Sequence, residues 1–141
     1  MTDDAPDAGP WTVGNVVLDC PEPRVLAEFY RALLGWEYLP GHESDDPDGD
    51  EWLVLEAPDG LRMALQQVPD FTPASWPGPE RPPRMHLDIP VTDLERAHAR
   101  AVAAGARPLT GPPEPSDDMF RVYADPAGHP FCLCLKPARP A

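Results

Sequence analysis

The sequence predicts an α+β fold made of two tandem βαββ units. A strand-like run, Val13 to Cys20, is followed by a helical pattern, and the same order recurs from His86 onward. The spacing between the two copies is nearly constant: Asn15 to His86 is 71 residues, and Gly35 to Gly105 is 70. Similar order at nearly constant spacing is typical of a duplicated unit.

The first unit begins with alternating residues, which indicate a half-buried strand over Val13–Cys20. Val16, Leu18 and Cys20 would share one face, and Asn15, Val17 and Asp19 the other. A helix follows from Pro21-Glu22-Pro23, because proline is tolerated in the first turn and the next apolar residues recur with helical spacing. Gly35 is placed to end this helix in a left-handed conformation. Further strands are predicted at Trp36–Leu39, Trp52–Glu56 and Arg62–Val68, with the acidic segment 42–51 as a solvated loop.

The second unit repeats this order. Thr92-Asp93-Leu94-Glu95 fits a capping box, in which the Thr92 hydroxyl would accept a backbone N–H at the start of a helix that ends at Gly105. His129 falls in a turn and is interpreted as loop structure, with contact to a ligand as the alternative. The strands of this unit are predicted at His86–Val91, Arg107–Leu109, Phe120–Ala124 and Phe131–Leu135.

The 22 prolines divide the chain, because they crowd the connectors and leave the periodic segments between them intact. We expect a single domain over 11–136, with the first unit at 12–68, a proline-rich connector at 69–83 and the second unit at 84–136. Residues 1–10 and 137–141 are expected to be flexible tails.

Charge and composition restrict the partners. A formal charge of -13, from 24 carboxylates against 11 bases, would repel nucleic acid and anionic membranes. No stretch is long and apolar enough to span a membrane, and the first residues do not form a signal peptide. We expect a cytoplasmic protein with three reduced cysteines, since an odd count in a chain of this length does not make a disulfide framework.

Three stretches of the sequence carry a family resemblance: NVVLDCPEPRVLAEFYRALLGWEYL, HLDIPVTDLERAHARAVAAGARPL and DPAGHPFCLCL. In this order they resemble the glyoxalase-like members of the vicinal oxygen chelate superfamily, which includes glyoxalases, bleomycin resistance proteins and extradiol dioxygenases. The resemblance covers about residues 12 to 136. It implies two curved mixed sheets that form one open barrel-like cavity with the helices outside, and it implies a homodimer.

The resemblance also implies where a metal would be held, by residues from the first and last strands of each unit. The matching positions are Asn15 and Ala64 in the first unit, and His86 and Cys132 in the second. Only His86 is a usual ligand, so we expect no cofactor. A divalent metal on His86 and Cys132 is the alternative, and Cys134 would join them if the thiolates bound a soft ion.

Without a metal, His86 has the side chain for acid-base chemistry, and Asp88 or Asp19 could share its proton. His86 and Asp88 are therefore the candidate catalytic residues, and a cavity-lining role for His86 is the simpler interpretation. An arginine, Arg62, Arg84 or Arg121, would otherwise pair with the strand carboxylates. The ligand-binding residues that we predict are Asn15, Asp19, His86, Asp88, Cys132 and Cys134.

The function most consistent with this set is binding of a small organic molecule in the cavity, of a sequestering or resistance type, by a protein with a degenerate metal site. The alternative is a metal-dependent lyase, isomerase or dioxygenase that uses His86. A third hypothesis is a filled cavity in a protein that acts through its partners. The sequence leaves open whether the chain is an enzyme.

Overall fold

The computed structural model describes residues 9–43, 50–73, 80–81, 85–109 and 120–135. The first unit comprises β1 (Val16–Cys20), α1 (Pro23–Leu34), β2 (Glu37–Tyr38), β3 (Trp52–Glu56) and β4 (Arg62–Gln67). The second comprises β5 (Leu87–Val91), α2 (Leu94–Ala104), β6 (Arg107–Pro108), β7 (Phe120–Ala124) and β8 (Pro130–Leu135).

The two units form two four-stranded sheets with equivalent strand orders, β1-β4-β3-β2 and β5-β8-β7-β6. In each sheet the first strand pairs parallel with the last strand of its unit, and the remaining pairs are antiparallel. The predicted α+β fold of two βαββ units with mixed sheets is therefore confirmed. The sheets are not closed into a barrel.

Helix α1 begins and ends where the sequence indicates. Pro23 occupies the start of the helix, and Gly35 ends it with a φ of 77°, while its N–H donates to the Arg31 carbonyl at 2.9 Å. The buried stripe of α1 consists of Pro23, Leu26, Ala27, Phe29, Tyr30 and Leu33. Because this stripe recurs at three and four residues, α1 places one continuous face against the sheets.

Helix α2 begins differently from the prediction, and the capping box at Thr92 is wrong. Asp93 is the N-cap: its backbone is extended and its side chain accepts the Arg96 N–H at 3.1 Å. Thr92 is exposed one residue earlier. A carboxylate three residues before the donor satisfies a first-turn N–H as well as a hydroxyl does, so the helix begins one residue later than expected.

One hydrophobic cluster unites the two units. Phe131 of β8 lies 5.4 Å from Tyr123 in a stacked pair and 5.9 Å from Phe29 of α1, measured between ring centroids. Leu26 and Leu65 from the first unit and Leu133 from the second belong to the same cluster. The helices and one face of each sheet thus share their buried surface.

Some predictions lie partly outside the described residues. This applies to the tails at 1–10 and 137–141, of which only Gly9 and Pro10 are described, and to most of the connector at 69–83. The acidic loop is described only at 42–43 and 50–51. Within the described part of the chain, no helix is long and apolar enough to cross a membrane.

Candidate functional site

The predicted site residues lie away from the hydrophobic cluster. In β1 the alternation leaves Val17 and Asp19 exposed while Cys20 is buried. In β5, Asp88 is exposed, and His86 is exposed immediately before the strand. The remaining three are Asn15, which is exposed before β1, and the half-buried Cys132 and Cys134 of β8.

The strand registers show which residues of the two units occupy equivalent positions. Val17 pairs with Ala64 in the first sheet, and Asp88 pairs with Cys132 in the second. Asp88 is therefore the counterpart of Val17 in register, whereas Asp19, two residues further along β1, shares only the face of the strand. A slip of two residues preserves the face of a strand.

A compact group of donor atoms forms on the second sheet, and we call His86, Asp88 and Cys132 the β5/β8 cluster. Nε2 of His86 lies 3.2 Å from Oδ1 of Asp88. One donor atom from each of the three residues lies within 4.8 Å of the others. The strand carboxylate thus pairs with His86, whereas Arg62 pairs with Glu56 and Arg121 with Glu95. Arg84, the third predicted partner, lies outside the described residues.

The two thiols on this face are protonated at neutral pH in the free protein. Burial, reinforced by the negative charge of Asp88, raises the pKa of Cys132 to about 11. The same two causes raise the pKa of Cys134. Neither thiol is thus a ready nucleophile, because only the thiolate attacks.

A cavity of about 570 Å³ lies between β1 and the start of β5, and we call it the seam cavity. Its apolar wall consists of Val16, Val17, Leu18, Met85, Leu87 and Pro130, with the aromatic rings of Tyr30 and Phe71. Its polar groups belong to Asp19, Thr72, Glu80, Arg81, His86 and His129. Two predicted ligand-binding residues, Asp19 and His86, therefore line the seam cavity. Asn15, Asp88, Cys132 and Cys134 do not.

His129 lines the seam cavity, as the alternative to its interpretation as loop structure, contact with a ligand, requires. Its Nε2 lies 2.6 Å from the backbone carbonyl oxygen of Asp19, which only accepts hydrogen bonds, so Nε2 carries a proton. Its ring lies 5.2 Å from that of Phe71. His129 thereby connects the turn of the second unit to β1 across the seam.

A buried pair fixes the same turn against α1. The Tyr30 hydroxyl donates to Oδ2 of Asp125 at 2.6 Å, and Oδ1 accepts the N–H groups of Ala127 and His129 at 2.9 and 3.0 Å. Burial raises the pKa of Asp125 above its ordinary value, although His129 and the hydrogen bonds oppose this. Burial and the charge of Asp125 raise the pKa of Tyr30. The sequence indicates Asp125 only as the first residue of the turn Asp125-Pro126-Ala127-Gly128. It indicates its partner Tyr30 only as an apolar position of α1.

A second cavity, of about 490 Å³, lies beside the start of α2. Its wall includes Leu33, Val91, Ala97 and Leu133, with Arg96 and Arg100 at α2. None of the predicted site residues lines it. The seam cavity is therefore the better candidate site.

The residues present do not fit the metal arrangement that the family resemblance implies, with ligands from both units. Ala64 has no donor atom and is fully buried, and Asn15 offers only a neutral amide. A catalytic zinc normally takes three protein ligands, and magnesium prefers hard oxygens. The donors that the structure gathers, His86, Asp88 and Cys132, all come from the second unit.

Comparison with known proteins agrees with the fold. The structure resembles a glyoxalase/dioxygenase from Nostoc punctiforme with a TM-score of 0.66 and 20% sequence identity, over 90% of this chain and 92% of that one. It resembles the fosfomycin resistance protein FosX from Mesorhizobium loti with a TM-score of 0.65 and 12% identity, over 89% and 92% of the two chains. FosX from Listeria monocytogenes gives 0.64 and 10%, over 93% and 95%.

No curated protein matches the sequence significantly. The profile of the family described as Glyoxalase-like domain matches residues 15–134, which is most of the chain and includes both βαββ units. The chain therefore belongs to the glyoxalase-like domain family of the vicinal oxygen chelate superfamily.

Proposed function

We propose that the protein binds a small organic molecule in the seam cavity and acts as a sequestering or resistance-type protein. The seam cavity carries this proposal. Its volume of about 570 Å³ lies within the range of small-molecule sites, about 300 to 1,000 Å³. Its composition is that of such sites, with an apolar wall and a few convergent polar groups. A cavity of this kind also disfavours the hypothesis of a filled interior.

The charges around the cavity favour a neutral or cationic guest. Asp19 and Glu80 bring two carboxylates to its lining, against one guanidinium from Arg81. The whole chain carries a formal charge of -13, which would repel an anion from solution. Phe71 provides a half-buried ring surface that suits an aromatic or cationic group.

The test is a thermal-shift screen of the full chain with metabolites and glycopeptide drugs. Binding at about 100 times the dissociation constant would stabilise the fold by about 2.7 kcal/mol, which is readily measured. Val17→Trp should fill the seam cavity and abolish the shift. Val25→Trp is the matched control, because Val25 is similarly exposed on α1 and does not line the cavity. A screen without any stabilising compound, or a shift that persists in Val17→Trp, would contradict the proposal.

The alternative is a metal-dependent lyase, isomerase or dioxygenase that uses His86, and the β5/β8 cluster is the observation that supports it. Adding zinc, manganese, iron or nickel should then produce activity on candidate substrates, and His86→Ala should abolish it. His42→Ala, at a histidine outside both the cavity and the cluster, should leave that activity unchanged.

We also propose a homodimer and a cytoplasmic location. Trp52 and Phe120 are large apolar residues with 39% and 51% of their surface exposed, as an association surface would require. Light scattering on the purified chain distinguishes a monomer from a dimer. The three free cysteines suit a reducing compartment, which fractionation of the native host would test.

A further inference from the structure

Helix α2 carries small residues at positions where α1 carries large ones. Positions can be counted from the two N-caps, Glu22 in α1 and Asp93 in α2. The alanines Ala97, Ala101 and Ala104 then correspond to three large buried residues of α1, which are Leu26, Tyr30 and Leu33. A smaller side chain leaves space unless its surroundings collapse onto it. The second cavity, of about 490 Å³, borders Ala97, and we call it the α2 cavity.

The floor of the α2 cavity is apolar. Leu33 of α1 and Leu133 of β8, which are 7% and 1% exposed, meet there with the half-buried Ile89 and Val91 of β5. Covering such a surface with an apolar group is favourable because it removes the surface from water. The volume also lies within the range of small-molecule sites, about 300 to 1,000 Å³. The α2 cavity therefore suits the apolar body of a small molecule.

The rim of the α2 cavity carries two guanidinium groups, from Arg96 and Arg100, which lie one turn apart on α2. Nε of Arg100 donates to the carbonyl oxygen of Ala32 at 3.3 Å, which holds this side chain beside the cavity. Among the described residues, the Arg96 guanidinium has no hydrogen bond or ion pair, and the terminal amino groups of Arg100 have none either. Because guanidinium groups bind carboxylates through paired hydrogen bonds, these donors suit an anion.

The charge at the rim favours an anion with a single charge. In the described lining, Asp93 is the one carboxylate, and its Oδ1 already accepts the Arg96 N–H at 3.1 Å. Two guanidinium groups and one carboxylate sum to a charge of +1 at the cavity. The chain as a whole has a charge of -13, but exposed charges more than about 8 Å away are largely screened at physiological ionic strength. The nearby guanidinium groups therefore act on a bound anion more strongly than the distant carboxylates do.

We propose that the α2 cavity binds a small monocarboxylate with an apolar body. Its carboxylate pairs with Arg96 and Arg100, and its body covers the apolar floor beside Ala97. The hydroxyl of Thr92 lies at the same rim and is a further donor. In the described part of the chain, the α2 cavity shares no residue with the seam cavity or with the β5/β8 cluster. The site is therefore independent of the proposed organic guest and of a metal.

The test is a calorimetric titration of the full chain with octanoate, compared with octanamide and acetate. Octanoate should bind at one site and about tenfold or more tighter than octanamide, because hydrogen bonds between charged groups are the stronger ones. Acetate lacks the apolar chain and should bind more weakly by a similar factor or more. Arg96→Gln and Arg100→Gln should each weaken octanoate binding by about tenfold or more. Arg107→Gln is the matched control, because Arg107 is exposed on β6 and does not line the cavity.

Two further variants keep the proposal falsifiable if an arginine substitution prevents folding. Ala97→Leu introduces the side chain that α1 has at Leu26, so it should fill the α2 cavity and abolish octanoate binding, while thermal unfolding shows that the fold is retained. Val17→Trp, which fills the seam cavity instead, should leave octanoate binding unchanged. The proposal is overturned if octanoate does not bind, if octanamide binds equally well, if both arginine variants keep the wild-type affinity, if binding survives Ala97→Leu, or if Val17→Trp abolishes it.

Discussion

At the scale of single residues, the site depends on contacts between positions far apart in sequence. His129 donates to a carbonyl 110 residues away, and Asp125 accepts from Tyr30, 95 residues away. Local patterns mark His86 and Asp19, because strand alternation shows which side chains leave the core. They mark His129 only as a turn residue with ligand contact as the alternative, and they give Asp125 no role beyond its turn, since the contacts of both residues arise only when the two units pack together.

The raised pKa of Asp125 predicts how the stability of the fold depends on pH. Its pKa in the folded protein is raised, mainly by burial, so the folded state holds its proton more tightly than the unfolded chain does. A group of this kind stabilises the fold below its unfolded pKa, about 3.9, and that stability is lost as pH rises toward the folded pKa. Asp125→Asn keeps a carbonyl oxygen for the turn and a donor toward Tyr30, but it does not titrate.

The free energy of unfolding of the wild-type protein, minus that of Asp125→Asn, should therefore fall with rising pH in that window and then stay constant. Urea unfolding at a series of pH values measures it. This difference in the free energy of unfolding should fall by no more than about 1.4 kcal/mol per pH unit, because only one proton is involved. A difference that rises with pH would show that the folded pKa of Asp125 is lowered instead.

At the scale of elements, most strands could be predicted because period-2 alternation is a strong local signal. β3 and β7 have the predicted bounds. β1 begins at Val16 and not at Val13, because Val13 is 74% exposed and pairs with no strand among the described residues. The start of α2 was misassigned by one residue, since Thr92 and Asp93 are both good N-caps and only tertiary packing decides between them.

The two caps can be distinguished by substitution. Asp93→Ala should lower the free energy of unfolding by about 1 kcal/mol, because it leaves the Arg96 N–H without its side-chain acceptor. Thr92→Ala should change it by less than about 0.5 kcal/mol, as an exposed residue outside the cap would. Denaturant unfolding measures both. Equal decreases in the free energy of unfolding at the two positions would instead support the capping box at Thr92.

At the scale of the whole molecule, the sequence predicted the repeat and its fold, and the spacing of about 70 residues was sufficient for this. It could not predict the seam cavity, whose shape depends on how the two units are placed relative to each other. The cavity also takes residues from the connector, Phe71 and Thr72, which carry no periodic signal. The expected ligand-binding residues accordingly do not converge at one place: Asp19 lines the cavity, Asp88 and Cys132 belong to the β5/β8 cluster, His86 belongs to both, and Asn15 and Cys134 to neither.

The close packing of the connector residue Pro73 against Gly128 of the second unit predicts that a side chain at Gly128 is destabilising. Gly128 has a φ of +96°, and a Cβ there would lie 2.5 Å from the Cβ of Pro73. Gly60 has a φ of +97°, but a Cβ there would meet no heavy atom of the described residues within 4 Å, so it isolates the backbone effect. Gly60→Ala should cost about 1 to 2 kcal/mol for its left-handed conformation.

Gly128→Ala should cost about 1 to 3 kcal/mol more than Gly60→Ala, because the methyl group also displaces Pro73. Thermal and urea unfolding of the two variants provide the comparison. Equal destabilisation would mean that Pro73 moves aside freely and that the connector does not hold the turn.

The strand orders have a consequence for aggregation. β1 and β5 each stand at the end of a sheet, and a terminal strand presents unpaired N–H and C=O groups that can recruit another chain. Pro90 removes one N–H from β5, and the outward carboxylates of Asp88 and Asp19 place charge on both strands, which discourages such recruitment. The side chains that define the candidate site thus also protect the exposed strands, so substitutions that neutralise them should be checked for self-association before a loss of binding is interpreted.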